Sequence, residues 1–338
     1  MNVRTRVQAL LACAAITATG LLATGGLSAA HAQAFPTKPL TMIVPYPAGG
    51  PSDHIGRQVQ QIASQSLGQN IIVGNIGGAS GTIGVARALS APPDGYTLIL
   101  GSPMELILSP LAIEGVRYRT EDMKLAAHLV STSTILAVRS NLGVSNVNEL
   151  LALARRSGDR PLTFGSVGIG SLYHLIGEKL QQDARIRLTH VPYRGIAPLM
   201  TDLMGGQIDL AFLPMAGTIM QAVSEGRMRG LGVTARQPHP LFSQFPALAA
   251  MSGLEAMEFE VWAGIQVHKD TPDAVVQRLN QAFSTALQNP EVRKALESTG
   301  NNVMSPRSPA ELARLFQQET ERYRAIARSI NLQAQAAQ

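Results

Sequence analysis

Tyr46, Ala48, Gly49, Gly50, Ser52 and Asp53 stand together between a short apolar run and a helical pattern, and Ser166, Val167, Gly168, Gly170 and Ser171 repeat that arrangement further along the chain. Each segment opens a helix, where backbone N–H groups are free and the helix end is positive. Such a place receives an anion, and glycines let the backbone approach it closely. Neither loop needs a lysine or arginine, because fixed dipoles stabilise the charge. A third, shorter loop carries Ala79, Ser80 and Gly81, and Ser102 follows a strand end, where ligands of α/β sheets sit.

Other residues near these loops have two readings each. Asp53 belongs to the site, or it only caps its helix or pairs with Arg57 one turn on. His174 contacts a ligand or is a hydrogen-bonded structural histidine, and Tyr193 lines the site or is a core residue with a bonded hydroxyl. Glu105 either enters the mouth of the site, opposing ligands with extra negative charge, or is a solvated loop glutamate. Covalent chemistry has little support. Gly168-Ile169-Gly170 lacks the third glycine of a dinucleotide loop, and Gly78-Ala79-Ser80-Gly81-Thr82 lacks the last glycine of a nucleophile elbow. The histidines form no metal-ligand spacing, so no catalytic residue, metal or cofactor is expected.

The elements that hold the loops alternate. Leu40–Pro45 reads as a strand, and from Asp53 the apolar positions Ile55, Val59, Ile62, Ala63 and Leu67 follow helical spacing to Gly68. Asn70–Val73 is a second strand, a short helix runs through Ile83, Ala86 and Leu89, and Tyr96–Leu100 is a third strand. The alternation returns over Ser145–Thr234, giving a second α/β unit, and the C-terminal part is helical, with a capping box at Ser308–Glu311.

Residues 1–32 read as a cleaved signal peptide: Arg4 and Arg6, an uncharged Ala/Leu-rich stretch, then Ala30-His31-Ala32. Export would take the protein to the periplasm and remove Cys13, the single cysteine, excluding disulfides and thiol chemistry. The full chain has 28 Lys+Arg against 23 Asp+Glu, and without Arg4 and Arg6 the excess falls to +3. With no basic run and few aromatics, that balance gives nucleic acid no support as a partner.

Residues along most of the remaining chain resemble the Bug/TctC family, the receptors of tripartite tricarboxylate transporters. The likeness rests on Phe35–Pro39 with Ile43–Asp53 and Arg57, on Asn75–Gly84, on Pro93–Leu98, and on His190–Gly195 followed by Asp202–Asp209. The chain departs from the family pattern between Gln237 and Met257. The resemblance implies a two-lobed periplasmic-binding-protein fold (type II-like). Each lobe would be a doubly wound, mainly parallel sheet flanked by helices. Lobe 1 would hold residues 35–136 and 264–338, and lobe 2 residues 137–263, with crossovers near Ile135–Val138 and Trp262–Val267.

The function implied is a monomeric periplasmic receptor that closes on a small organic carboxylate, a mono- or dicarboxylate, and presents it to membrane permease subunits. A dicarboxylate bridging the two loops would hold the cleft closed. The absence of arginine from both loops disfavours citrate. A ligand-sensing subunit that presents its closed form to a sensor ectodomain fits the same residues. A periplasmic enzyme acting on a carboxylate fits them less well.

Overall fold

The computed structural model describes residues 35–215, 217–235 and 242–330, together with residues 332 and 334. The expected signal peptide, with Cys13, and the Pro238–Leu241 stretch of the divergent segment lie outside the described residues.

Strand β1 (Leu40–Val44) is an apolar run in the middle of a parallel trio, hydrogen-bonded to β2 (Ile71–Asn75) on one side and β3 (Thr97–Gly101) on the other. Such continuous hydrophobic runs suit strands covered on both faces. Helix α1 (Pro51–Leu67) follows β1. Pro51 presets its first turn, and Ile55, Val59, Ala63 and Leu67 bury one face. Helix α2 (Thr82–Leu89) follows β2. After β3 a π-helical turn (Met104–Leu108) runs into the short helix α3 (Ser109–Ala112).

Strand β4 (Met123–Arg139) then crosses the molecule, with all but two of its 17 residues buried. The second unit follows: α4 (Val147–Arg156), β5 (Leu162–Ser166), α5 (Leu172–Ala184), β6 (Leu188–Pro192), α6 (Ile196–Met204), β7 (Leu210–Pro214), α7 (Gly217–Ser224) and β8 (Met228–Val233). Strand β5 lies parallel to both β6 and β7. Strand β9 (Glu260–His268) returns antiparallel to β3 and β4. Helices α8 (Asp273–Gln288) and α9 (Pro290–Glu297), the short strand β10 (Asn302–Val303) and helix α10 (Pro309–Ser329) complete the described chain.

The strand order β2-β1-β3-β9-β4-β7-β5-β6 is one curled sheet made of two parallel trios joined through β9 and β4. Strand β4 is the shared member. Residues 123–133 pair with β9, and residues 134–139 pair with β7 and β8. The change of partner therefore falls just before the expected Ile135–Val138. The residues expected at the second crossover lie on β9. Trp262–Val267 already pairs with residues of the first half-sheet, and the tie to the second half is the bond from Phe259 N–H to the Thr234 carbonyl, 2.8 Å. A continuous apolar run identifies a buried strand, not where its neighbours change.

The crossing region is unusually polar for a buried strand. Ser131, Thr132, Ser133 and Thr134 are all buried. Thr132 donates to Asn301 Oδ1 at 2.6 Å, and the Thr134 and Thr234 hydroxyls bond each other. The C-terminal helices return to the first half. Helix α10 packs on β4 and on the 104–108 turn, with Tyr323 OH donating to the Glu260 carbonyl at 2.8 Å.

Candidate functional site

Three loops leave the carboxyl ends of β1, β2 and β3 side by side, the usual position of a ligand site in parallel sheets. The first is organised by Asp53. Its Oδ2 accepts from Gly49 N–H and Arg57 Nε, both at 2.9 Å, and its Oδ1 accepts from Asn75 Nδ2 at 3.0 Å. The Asn75 amide also donates to the Tyr46 carbonyl at 3.1 Å. The Arg57 bond, with those from Gly49 and Asn75, outweighs burial and holds the Asp53 carboxyl down to about 2. Both Asp53 oxygens thus carry bonds that shape the loop. Helix α1 itself begins uncapped at Gly50, and its first internal bond runs from His54 N–H to the Gly50 carbonyl at 3.0 Å. The N–H groups of Ser52 and Asp53 precede that bond and supply the helix's unspent donors. Ala48 and Gly49 stand exposed at the rim.

Beneath these loops lies Glu105, fully buried rather than solvated. Its Oε2 accepts from Tyr46 OH at 2.7 Å and from Ser102 Oγ at 2.8 Å, and its Oε1 accepts from Ser102 N–H. Its own carbonyl accepts from Tyr118 OH. Burial pushes its carboxyl up to about 7 in spite of these donors, and the same burial raises the Tyr46 phenol. The middle loop rests on it. A Cβ on Gly81 (φ +87°) would come within 2.9 Å of Glu105 Cβ, so only glycine fits there. Ala79 and Ser80 just before it hold φ of 45° and 53°, a left-handed conformation that costs non-glycine residues energy. Thr82 Oγ1 on the Ala79 carbonyl (2.8 Å) and Ser109 Oγ on the Ser80 carbonyl (3.3 Å) fix it.

The loop after β5 has a different support. Ser166 is fully buried, and its Oγ bonds His190 Nε2 at 2.7 Å and the Gly168 carbonyl at 3.0 Å. Gly170 N–H donates to His174 Nδ1 at 3.1 Å, and Ser171 Oγ caps α5 by accepting from His174 N–H at 3.3 Å. The His174 and His190 rings stack with centroids 4.2 Å apart, and His190 stacks in turn on Phe164 at 4.8 Å. Desolvation lowers His174 to about 4; desolvation and then the charge of His174 lower His190 to about 3, so both are neutral at pH 7. Tyr193 ties its backbone N–H to the Ser166 carbonyl (2.8 Å) and its hydroxyl to Asp202 (2.8 Å).

The two sets of loops meet. A Cβ on Gly168 would lie 3.7 Å from Ser80 Oγ, and a Cβ on Gly170 (φ +76°) would lie 2.1 Å from Ala112 Cβ. Tyr46, Gly81 and Ser102 are thus gathered around Glu105 on one side, with Ser80 next to Gly81, and Val167, Gly168 and Gly170 belong to the loop facing them. The hydroxyls of Ser166, Ser171 and Tyr193 are engaged inside the second half. Asn75, Ala112 and His190 are supporting residues that the sequence reading did not single out. The parallel register setting Phe164 beside His190, and Val44 beside Asn75, is what brings two of them into place. A separate hollow of about 320 Å³, bordered by Met220, Val223, Met228 and Phe245, shares no residue with these loops. Among the described residues no cluster of His, Cys, Asp and Glu could hold a metal, and no helix is long and apolar enough to cross a membrane.

The curled α/β sheet, with loops from its two halves facing each other, is the fold of the two-lobed solute-binding proteins. The model of the tripartite tricarboxylate transporter family receptor (TctC) matches residues 55–332, and the chain belongs to that family. It is accordingly a solute-binding receptor and not an enzyme. Among solved structures it is similar to the periplasmic binding protein BugD (27% identity, TM-score 0.78, covering 89% of this chain and 100% of that one). It is also similar to Rpa4515 of Rhodopseudomonas palustris with adipate (27%, TM-score 0.80, 89% and 100%). MatC from the same organism with bound malate is a further match (28%, TM-score 0.77, 86% and 99%).

Proposed function

We propose that this receptor works in the periplasm as a monomer, closes on a small organic mono- or dicarboxylate, and hands it to the membrane subunits of a tripartite tricarboxylate-type transporter. The observation that carries the reading is the approach of Gly168 to Ser80, which sets two donor-bearing loops from opposite halves face to face. Ser52, Ala79 and Ser80 would receive the acid from one half and Val167 from the other, while Tyr46, Gly81, Ser102, Gly168 and Gly170, whose hydroxyl or N–H donors are spent within their own halves, would shape the walls. Residues 35–136 with 264–338 would move against 137–263, bending where β4 changes partners. Adipate and malate in the relatives agree in chemistry with such a site. Contacts made only in the closed form would drive closure, as any ligand-driven shift requires.

Native mass spectrometry of protein purified without added ligand, followed by thermal melting with a panel of mono- and dicarboxylates, tests this. A copurified acid, or a rise in Tm with one class of acid, is the expected result. A protein that carries no acid and melts at the same temperature with every acid at millimolar concentration would overturn it. Trp262 reports closure by fluorescence, since it is buried on β9 beside the crossing strand with its indole N–H on Glu319 at 3.2 Å.

A further inference from the structure

Glu105 touches all three loops of the first half. It binds Tyr46 of the first, packs against Gly81 of the second and accepts from Ser102 of the third. It is fully buried, and its donors are neutral: a phenol, a hydroxyl and an amide N–H. The titratable groups around it are Tyr46, Tyr118 on its own carbonyl, and Tyr173 from α5, which acts on Tyr46. On the elements packed against the 104–108 turn, Arg87 lies in the last turn of α2, Arg322 is held by Glu319 and Tyr323 by the Glu260 carbonyl. None of these cations is among the groups that act on the Glu105 carboxyl. A buried carboxylate without a cation is costly, and a second negative charge brought to the loops above it raises that cost.

We propose that Glu105 is a specificity-determining residue of the cleft, which takes up a proton when an anionic ligand settles on the loops it supports, so that acid binding is proton-coupled and a charged Glu105 selects against anions. The inference rests on the carboxylate reading of the cleft. Without ligand the group is poised near neutrality, because burial has pushed it up to about 7. A bound anion pushes it higher still. Below its ligand-free midpoint Glu105 is already neutral and binding is indifferent to pH. Above that midpoint each binding event must draw a proton from solution, so affinity falls by up to about tenfold per pH unit.

Two measurements decide it. NMR titration of protein carrying ¹³C-carboxyl glutamate, with the resonance assigned through Glu105→Gln, reads the ligand-free ionisation directly. A midpoint near neutrality is expected, and one in the ordinary carboxylate range overturns the proposal. Calorimetry of adipate and malate binding at pH 6 and pH 8, in two buffers of different ionisation enthalpy, reads the proton. Both acids are fully ionised at pH 8, so protons taken up there enter the protein. Uptake approaching about one proton at pH 8, little at pH 6, and none in Glu105→Gln is expected. Glu105→Gln should also bind as tightly at pH 8 as at pH 6. Binding with no proton uptake, or an unchanged pH profile in Glu105→Gln, overturns the role of Glu105 and leaves the receptor reading standing. Failure of both acids to bind at either pH counts against the dicarboxylate reading itself and takes this inference with it. If Glu105→Gln does not fold, the wild-type proton count alone decides.

Discussion

The two sets of loops that face each other are held by opposite kinds of acid–base group. In the first half the supports are carboxyls: Asp53, charged and triply bonded, and Glu105, buried with neutral donors. In the second half they are imidazoles, His174 and His190, kept neutral by desolvation and stacked on Phe164. The difference lies in what each side must hold. A neutral imidazole can accept from a loop N–H without adding charge beneath an anion, as His174 does for Gly170. An ionised carboxylate must be neutralised locally, as Arg57 does for Asp53, or else it works against the ligand.

The largest effect should come from the meeting point of the halves. In Gly170→Ala the new Cβ falls 2.1 Å from Ala112 Cβ, so the two halves cannot pack as they stand. Overpacking of this kind costs about 1–3 kcal/mol, and ligand affinity should fall about 10–100-fold. X-ray scattering should show the protein remaining more open with ligand present. Gly170→Ala combined with Ala112→Gly should recover part of the affinity, whereas equal losses in the single and double variants would mean that this contact does not limit closure.

Removing the charged support comes next. Asp53→Ala leaves Gly49 N–H, Arg57 and Asn75 without their acceptor and should lower stability by about 1–3 kcal/mol in urea denaturation. Because the carboxyl is held well below its ordinary value, its contribution is complete above about pH 4 and disappears as pH falls toward 2. The stability difference between wild type and variant should therefore shrink over that interval, and a constant difference would contradict the assignment.

The imidazole side has its pH dependence at higher pH. The unfolded chain gains protons on His174 from pH 6.5 downward, whereas the folded protein holds it neutral until about pH 4. Folding is thus weakened as pH falls through that window, by ~1–3 kcal/mol for a shift of this size. Glu105 works in the reverse sense, since the folded state keeps a proton that the unfolded state has released, and stability falls as pH rises from 4.5 to about 7. His174→Asn should remove its share of the imidazole loss, so that the melting temperature of the variant falls less steeply than that of wild type as pH drops from 6.5 to 4, with His190 keeping its own contribution. A curve parallel to wild type would break the contrast between the halves. The smallest change is Ser171→Ala, which removes the cap on His174 N–H and should cost about 1 kcal/mol in chemical denaturation with little change in affinity.

Much of the architecture was legible locally. The helical spacing of Ile55, Val59, Ala63 and Leu67 gave α1, and the Ser308–Glu311 capping box opens α10 as expected. The loops at Gly49–Asp53, Gly78–Gly81 and Ser166–Ser171 were recognisable because glycine and serine in front of an amphipathic pattern are a local signal. Glu105 was not legible. A lone glutamate after a strand gives no sign of burial, and its partners Tyr46 and Gly81 are 59 and 24 positions away. His190 was hidden for a similar reason, since only the β5–β6 register brings it to Ser166.

By itself, then, the sequence determined the order of elements, the identity of the loops and the family, because apolar period, caps and turn residues act over a few neighbouring positions. The tertiary structure alone decided that Asp53 and Ser166 turn their polar atoms into the loops, that Glu105 lies buried beneath three of them, and that Gly170 must stay bare against Ala112. Those outcomes depend on strand pairing and desolvation across long sequence separations, which no local pattern encodes.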